Sequence, residues 1–164
     1  KSEIKEEQLS ESLEISGKRK DNFRFHINYK EGDDWAFANR LETSSINLGN
    51  QQEMGYMLYQ DVKYKPLFSK ISFTSRYVLF NTPTYDSRIY AYENDVLYGY
   101  SIPAYYGKGS KIYLVAKCNI IRNLDFWLRI AHTTYTDRMV LKSGWDEIQG
   151  NKMTEVKLQL RYKF

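Results

Sequence analysis

The chain has 164 residues, of which 42% are hydrophobic and 27% are charged, and its formal net charge is +4. A mean hydropathy of −0.62, with no run of roughly 18 to 20 apolar residues, excludes a membrane-spanning helix. Two histidines and the single Cys118 exclude a disulfide framework and lack the spacing of a zinc site, and the dispersed Lys and Arg do not predict nucleic acid as a partner.

Residues 1–22 form a mostly polar segment, with a candidate strand at Leu9–Ser16 and a turn at Gly17–Asp21. Residues 23–164 carry the clear period-two pattern and form the predicted β-domain. The first residue is Lys1 rather than Met, so we expect either a processed mature protein or the carboxyl-terminal piece of a longer one.

Apolar and polar side chains alternate in most of residues 23–164, which is typical of strands with two different faces. The predicted strands cover Phe23–Lys30, Trp35–Ile46, Met54–Lys65, Ser69–Asn81, Ser110–Ile120, Leu124–Tyr135 and Thr154–Phe164. The tyrosine-rich stretch Thr84–Gly109 lacks clean alternation. It is either a short hairpin turning at Asn94–Asp95 or one long ordered loop.

The predicted connections alternate in length. Tight turns at Glu31–Asp34, Pro66–Ser69 and Ile121–Asn123 alternate with long connections. The long connections are Asn47–Glu53, Thr82–Gly109 and Thr136–Met153. Outer-membrane barrels place short turns on the periplasmic side and long loops outside, so this order favours a transmembrane barrel.

The polar rows of the predicted strands contain many charges. These cannot all face lipid, where a charge at the midplane costs about 2 to 4 kcal/mol, so we predict that they face an interior. The predicted interior charges are Arg24, Arg40, Glu42, Asp61, Lys63, Arg76, Lys117, Asp125, Arg129, Glu155, Lys157 and Arg161. Either a polar pore lining or a salt-bridged interior without conduction has this pattern.

The last strand has the sharpest difference between its two faces. It resembles the closing strand of bacterial outer-membrane barrels, in which a terminal aromatic residue is part of the signal for barrel assembly. The residues matching that signal are Leu158, Leu160, Tyr162 and Phe164. The resemblance implies that the barrel assembly machinery is a partner.

Four stretches resemble the end of a family of large Bacteroidota outer-membrane proteins, which often carry helix-hairpin-helix repeats before their barrel. They are Tyr85–Tyr98, Ser101–Gly109, Ser143–Asn151 and Leu160–Phe164. No helix-hairpin-helix signature is visible in this sequence. The resemblance implies the final strands of a larger barrel, and it does not imply a particular reaction.

The predicted fold is therefore an all-β, antiparallel up-and-down transmembrane β-barrel, or the C-terminal strands of a larger one. We expect it in the cell outer membrane, in contact with lipid and with other outer-membrane subunits. Its expected role is structural, transport or assembly, without catalysis and without a cofactor.

Two other functions are open at this stage. Abundant tyrosine also suits a soluble β-sandwich that binds carbohydrate. An outer-membrane hydrolase acting at the rim is the third reading, with His132 beside acids or a serine. The candidate partners of His132 are Asp137, Ser143, Asp146 and Glu147.

Overall fold

The structure, a computed structural model, describes residues 18–48, 51–142 and 144–164. In chain order its elements are β1 (Lys18–Glu31), β2 (Trp35–Leu48), β3 (Gln51–Tyr64), β4 (Ile71–Thr82), β5 (Ile89–Tyr90), β6 (Ala104–Tyr105), β7 (Gly107–Ile121), β8 (Leu124–Tyr135), β9 (Val140–Leu141), a 3-10 helix (Gly144–Asp146), β10 (Ile148–Gln149) and β11 (Lys152–Tyr162). The predicted all-β class is confirmed.

Seven of these strands form one antiparallel sheet in the order β1-β2-β3-β4-β7-β8-β11. Each strand pairs with the sheet strand that follows it in the chain, so the predicted up-and-down arrangement is confirmed. The short pairs β5-β6 and β9-β10 are separate from this sheet. They belong to the two long connections, residues 83–106 and 136–151.

The first strand begins earlier than predicted. Lys18–Asp21 belongs to β1 and pairs with Ser45–Leu48, so a turn over these residues is wrong. Their polar side chains hide the strand from a search for alternation, although backbone pairing does not require apolar side chains. The candidate strand Leu9–Ser16 lies outside the described residues.

The predicted long connection at Asn47–Glu53 is also wrong. Pairing between β2 and β3 continues to Leu48 and Gln51, which leaves only positions 49 and 50 between the strands. Near this connection most residues of β2 and β3 are polar on both faces, so the sequence again shows no alternation that would identify the strand ends. Long connections at this end of the sheet therefore follow β4 and β8 but not β2.

The stretch between β4 and β7 forms a hairpin outside the sheet. Its arms pair at Ile89 with Tyr105 and are bridged again at Glu93 with Ser101. A hairpin is therefore present, but the predicted turn at Asn94–Asp95 is wrong: the turn lies at residues 96–99, where the Gly99 N–H donates to the Val96 carbonyl at 2.9 Å.

The two faces of the large sheet differ in composition and exposure. One, called the apolar face, includes Phe25, Leu114 and Leu158, which are 54%, 43% and 62% exposed. The other, called the charged face, includes Arg76 and Arg129, which are 3% and 2% exposed. Soluble proteins normally bury the apolar face of a sheet, so this arrangement is inverted.

The pairing registers place the predicted interior charges on the charged face, because directly paired residues project to the same side. These residues are Arg24, Arg40, Glu42, Asp61, Lys63, Arg76, Lys117, Asp125, Arg129, Glu155, Lys157 and Arg161. Within the described ranges, no helix is long and apolar enough to cross a membrane.

Candidate functional site: a hairpin on the charged face

Residues 83–106, called the inner hairpin, lie against the charged face of the sheet. The side of the hairpin that faces the sheet carries Ile89, Ala91 and Glu93, none of which is more than 2% exposed. The opposite side carries Tyr90 and Tyr92, which are about half exposed. The period of two along an extended arm produces this division.

The base of the inner hairpin is held by apolar packing. It forms one buried cluster with side chains of β3 and β4, whose members are Met57, Tyr59, Val78, Phe80, Ile89, Ala91 and Tyr105. A glycine in β3 permits this close approach, because a Cβ on Gly55 would lie 2.8 Å from Thr82 Cγ2 and 3.1 Å from the Ser87 carbonyl oxygen.

Glu93 lies at the centre of the contact and has no exposed surface. Its carboxylate is 2.7 Å from Lys111 Nζ in β7 and 2.5 Å from Arg129 Nη2 in β8. The Tyr105 hydroxyl of the opposite hairpin arm also donates to it. Two cations and a hydroxyl therefore compensate the buried negative charge.

The tip of the hairpin, residues 93–101, makes further polar contacts with the sheet. Asp95 Oδ2 lies 2.5 Å from Lys157 Nζ in β11. The backbone N–H and the side-chain amide of Asn94 both donate to the Tyr113 hydroxyl at 3.1 Å. Arg76 Nη1 donates to the Tyr92 carbonyl at 2.5 Å, next to the tip. The contacts reach strands from β4 to β11.

Other predicted interior charges pair along the sheet itself. The Arg76 guanidinium donates to both carboxylate oxygens of Asp61, at 2.5 and 2.7 Å, and lies 3.7 Å from the centre of the Tyr59 ring. Glu42 pairs with Arg24 at 2.9 Å and with Arg40. Asp125 likewise pairs with Arg161.

Burial and charge shift the titration of two hairpin groups. Burial raises the pKa of Asp95. Hydrogen bonds from Lys157 and from the Val96 N–H lower it, and together with the nearby cations they outweigh burial, so the pKa of Asp95 is below the usual value. Burial and the neighbouring Glu93 carboxylate raise the pKa of the Tyr105 hydroxyl. At neutral pH, Asp95 is charged and Tyr105 is a hydrogen-bond donor.

Sequence reasoning placed Arg76, Arg129 and Lys157 among the interior charges, but it missed the other residues that hold the hairpin. Glu93 and Asp95 lie in the stretch without clean alternation. Lys111 lies in the predicted strand Ser110–Ile120, for which Lys117 is the predicted interior charge. One local pattern does indicate an extended arm with two different sides: positions 91, 93 and 95 carry small or acidic side chains, whereas positions 90 and 92 are tyrosines. Their partners in β8 and β11 lie far along the chain, so local patterns cannot identify them.

The predicted rim histidine does have hydroxyl neighbours. His132 lies on the apolar face, with Nδ1 2.9 Å from Thr154 Oγ1 and Nε2 3.3 Å from Thr134 Oγ1. Asp137 instead receives hydrogen bonds from Arg138, which lower its pKa. Ser143 lies outside the described residues. These contacts do not form the acid, histidine and nucleophile array that the hydrolase reading requires.

No metal-ligating group of three or more His, Cys, Asp or Glu occurs among the described side chains. No protein-family model, curated protein or solved structure matches the chain.

Proposed function

We propose that the chain forms the wall, or part of the wall, of an outer-membrane β-barrel. Its apolar face contacts lipid, and its charged face encloses a polar interior that contains the inner hairpin. The role is structural, transport or assembly, without catalytic chemistry.

The inverted exposure of the sheet carries this proposal. Each of the seven neighbouring strands leaves at least one large apolar side chain exposed on the same face, while Asp61, Arg76 and Arg129 on the other face are at most 4% exposed. In water such a face would be a very large apolar patch. In a bilayer it is the surface that lipid requires, with polar residues turned inward.

The apolar band runs diagonally across the sheet. A continuous line of paired residues joins Tyr29 in β1 to Val156 in β11. Tyr29 is at the turn end of its apolar row, whereas the row of β11 continues past Val156 to Tyr162. The band therefore shifts by about one residue per strand, which corresponds to a strand tilt of about 35° when the band lies level. Transmembrane barrel strands have tilts of this size.

Aromatic residues concentrate on the apolar face near the tight turns. Trp35 lies 4.4 Å from Tyr64, and Tyr64 lies 5.0 Å from Phe73, measured between ring centres. At the opposite ends of the strands, this face becomes polar, with Asn81, Lys108, Thr134 and Lys152 among its residues. An aromatic girdle followed by a polar margin is expected at the edges of a bilayer.

A carbohydrate-binding β-sandwich is less well supported. A sandwich packs the apolar faces of two sheets against each other. Here the inner hairpin covers the charged face of the large sheet, not its apolar face. The other sheets in residues 18–48, 51–142 and 144–164 have only two strands each, so none of them is a second sheet of a sandwich.

Membrane partitioning tests the proposal. The native protein should sediment with outer membranes, resist extraction by carbonate and dissolve only in detergent. A protein that is monomeric and stable in buffer without detergent would exclude a membrane wall. Glycan binding by such a soluble protein would support the sandwich instead.

A further inference from the structure

The inner hairpin is attached in two physically different ways. Its base packs mainly through Ile89, Ala91 and Tyr105 onto the apolar cluster of β3 and β4. Lys20 Nζ in β1 also donates to the Asp86 and Arg88 carbonyls of the base, at 3.0 and 2.9 Å. Its tip is attached through charged and polar groups, mainly Glu93, Asn94 and Asp95. Apolar packing is non-directional, whereas charge-assisted hydrogen bonds are strong only in a particular geometry.

The polar attachment of the tip depends on one carboxylate more than on any other described group. Glu93 contacts Lys111, Arg129 and Tyr105, and the Arg129 Nε atom also donates to the neighbouring Asn94 carbonyl at 3.3 Å. If Glu93 lost its charge, Lys111 and Arg129 would lie close together without the carboxylate that compensates them. Removing one member of a buried ion pair is strongly destabilising for this reason.

Space for water exists beside this carboxylate. A cavity of about 180 Å³ is lined by Glu93, Ser101, Lys111, Arg129 and Glu155, among others. A volume of this size holds several water molecules, each of which needs polar partners. Water in the cavity can solvate the charged groups of the sheet when the tip moves away, which lowers the free energy of the released state.

The backbone of the tip is compatible with movement. Between the bridge of Glu93 with Ser101 and the turn at residues 96–99, the described arms have no ladder pairing. Tyr98 and Tyr100 are 85% and 77% exposed. No apolar side chain of residues 94–100 is fully buried, so the attachment of this segment is mainly polar, while the paired segments β5 and β6 keep the base in place.

We propose that the tip of the inner hairpin is a releasable plug, latched to the charged face by Glu93. Release pivots at the β5-β6 base and exposes the charged face near Tyr113 and Ala131 to water. Release of the tip does not depend on the proposed barrel function. The further statement that release opens a path for water across a membrane rests on that proposed function.

Thiol labelling tests the latch in detergent-solubilised protein and in native membranes. In a Cys118→Ser background, Ala131→Cys places a thiol on the sheet in the buried cluster beside Tyr113, at a position that is 1% exposed. Tyr92→Cys places one on the exposed side of the hairpin. We expect slow labelling by a water-soluble maleimide at position 131, and fast labelling at position 92.

The Glu93→Gln substitution should accelerate labelling at position 131 by at least about tenfold without changing position 92, because it removes the charge that holds both cations. Glu155→Gln is the matched control, since Glu155 lines the same cavity but is only half buried. It should leave both rates unchanged. Equal acceleration by both substitutions, or none by Glu93→Gln in a folded protein, would overturn the latch.

A second variant covers the case in which Glu93→Gln does not fold. Lys111→Met removes one cation and leaves Arg129, so a latch predicts an intermediate acceleration in a folded protein. If both variants fail to fold, Glu93 is a structural residue and the proposal is wrong. Carbonate extraction reports separately on the membrane function, so a soluble protein with an intact latch would overturn the barrel alone.

Discussion

Exposed leucines on the apolar face have opposite consequences in water and in lipid. Leu158 is 62% exposed near the middle of the apolar row of β11, and Leu67 is 76% exposed in the tight connection between β3 and β4. In a soluble protein, arginine would be tolerated at either position. In a membrane wall, we expect Leu158→Arg to reduce stability by about 2 to 4 kcal/mol and to impair insertion.

Leu67→Arg is the control for that prediction, because the tight connection lies outside the apolar band that is proposed to contact lipid. Its insertion should match that of the unsubstituted protein. Urea unfolding in lipid vesicles and the fraction of protein in carbonate-washed membranes measure both effects. Equal behaviour of the two variants would contradict the assignment of the apolar face to lipid.

The Asp95 carboxylate makes attachment of the tip sensitive to acid. Its pKa in the folded protein is below the ordinary value of 3.8, and its neighbours Lys157 and Arg129 are both cationic. Because folding lowers the pKa, the stabilisation is complete above about pH 4 and is lost as the pH falls through the folded value. Acid should therefore promote release of the tip.

Pepsin cleavage at Val96 and Leu97 measures this release, since pepsin is active throughout the relevant range. Cleavage of the tip should increase as the pH is lowered from 4.5 to 2.5. The increase should exceed that of pepsin activity on an unfolded substrate over the same pH range. In Asp95→Asn the additional pH dependence should be smaller, because that side chain does not titrate. An Asp95→Asn protein with the same pH profile would remove Asp95 from the acid response.

At the scale of elements, the inner hairpin should decide whether the proposed barrel conducts. Besides its contacts with β4 to β8, the tip reaches Lys157 in β11. Replacing residues 94–100 with a short Gly-Ser linker should preserve insertion and increase ion conductance in planar bilayers, because the charged face becomes accessible to water.

Shortening the exposed segment 144–147 provides the control for the conductance measurement, since its residues belong to a different connection and none is buried. That change should leave conductance unaltered. If the hairpin deletion also leaves conductance unaltered while the protein inserts normally, the interior is closed by something other than the tip.

Element boundaries could be predicted where one face is apolar and not elsewhere. Alternation identified β8 from Leu124 to Ile130 and β11 from Val156 to Tyr162, because in these strands an apolar side chain lies on one face and a polar side chain on the other. The ends of β2 and β3 escaped prediction because polar residues occupy both faces there. The hairpin escaped a unique prediction because its arms are held mainly by contacts with the sheet.

At the scale of the whole molecule, the direction of the edge strands limits how a barrel can close. Antiparallel neighbours alternate in direction, so β1 and β11, at the two edges of a seven-stranded sheet, run the same way. Antiparallel closure therefore requires an odd number of additional strands. An eight-stranded barrel has room only for side chains or one small ligand, so a wall that encloses this hairpin should contain at least about ten strands.

Disulfide trapping in native membranes tests this expectation, with a protein that lacks Cys118. Thiols at Ile130→Cys with Val156→Cys, on directly paired residues of β8 and β11, should cross-link readily. Thiols at Ile27→Cys in β1 with Leu158→Cys or Leu160→Cys in β11 should not. Efficient cross-linking between β1 and β11 would show that the two edges meet and would contradict the larger barrel.

The sequence alone determined the class of fold and the two faces of each strand, because a period of two is a local property that the pleated backbone imposes. It also placed the charges that share one face. Only the tertiary structure decided that the stretch before β7 covers that face and that Glu93 pairs with Arg129, 36 positions away. The physical reason is that a buried charge is compensated by whichever opposite charge the fold brings within reach, and no spacing along the chain encodes that partner.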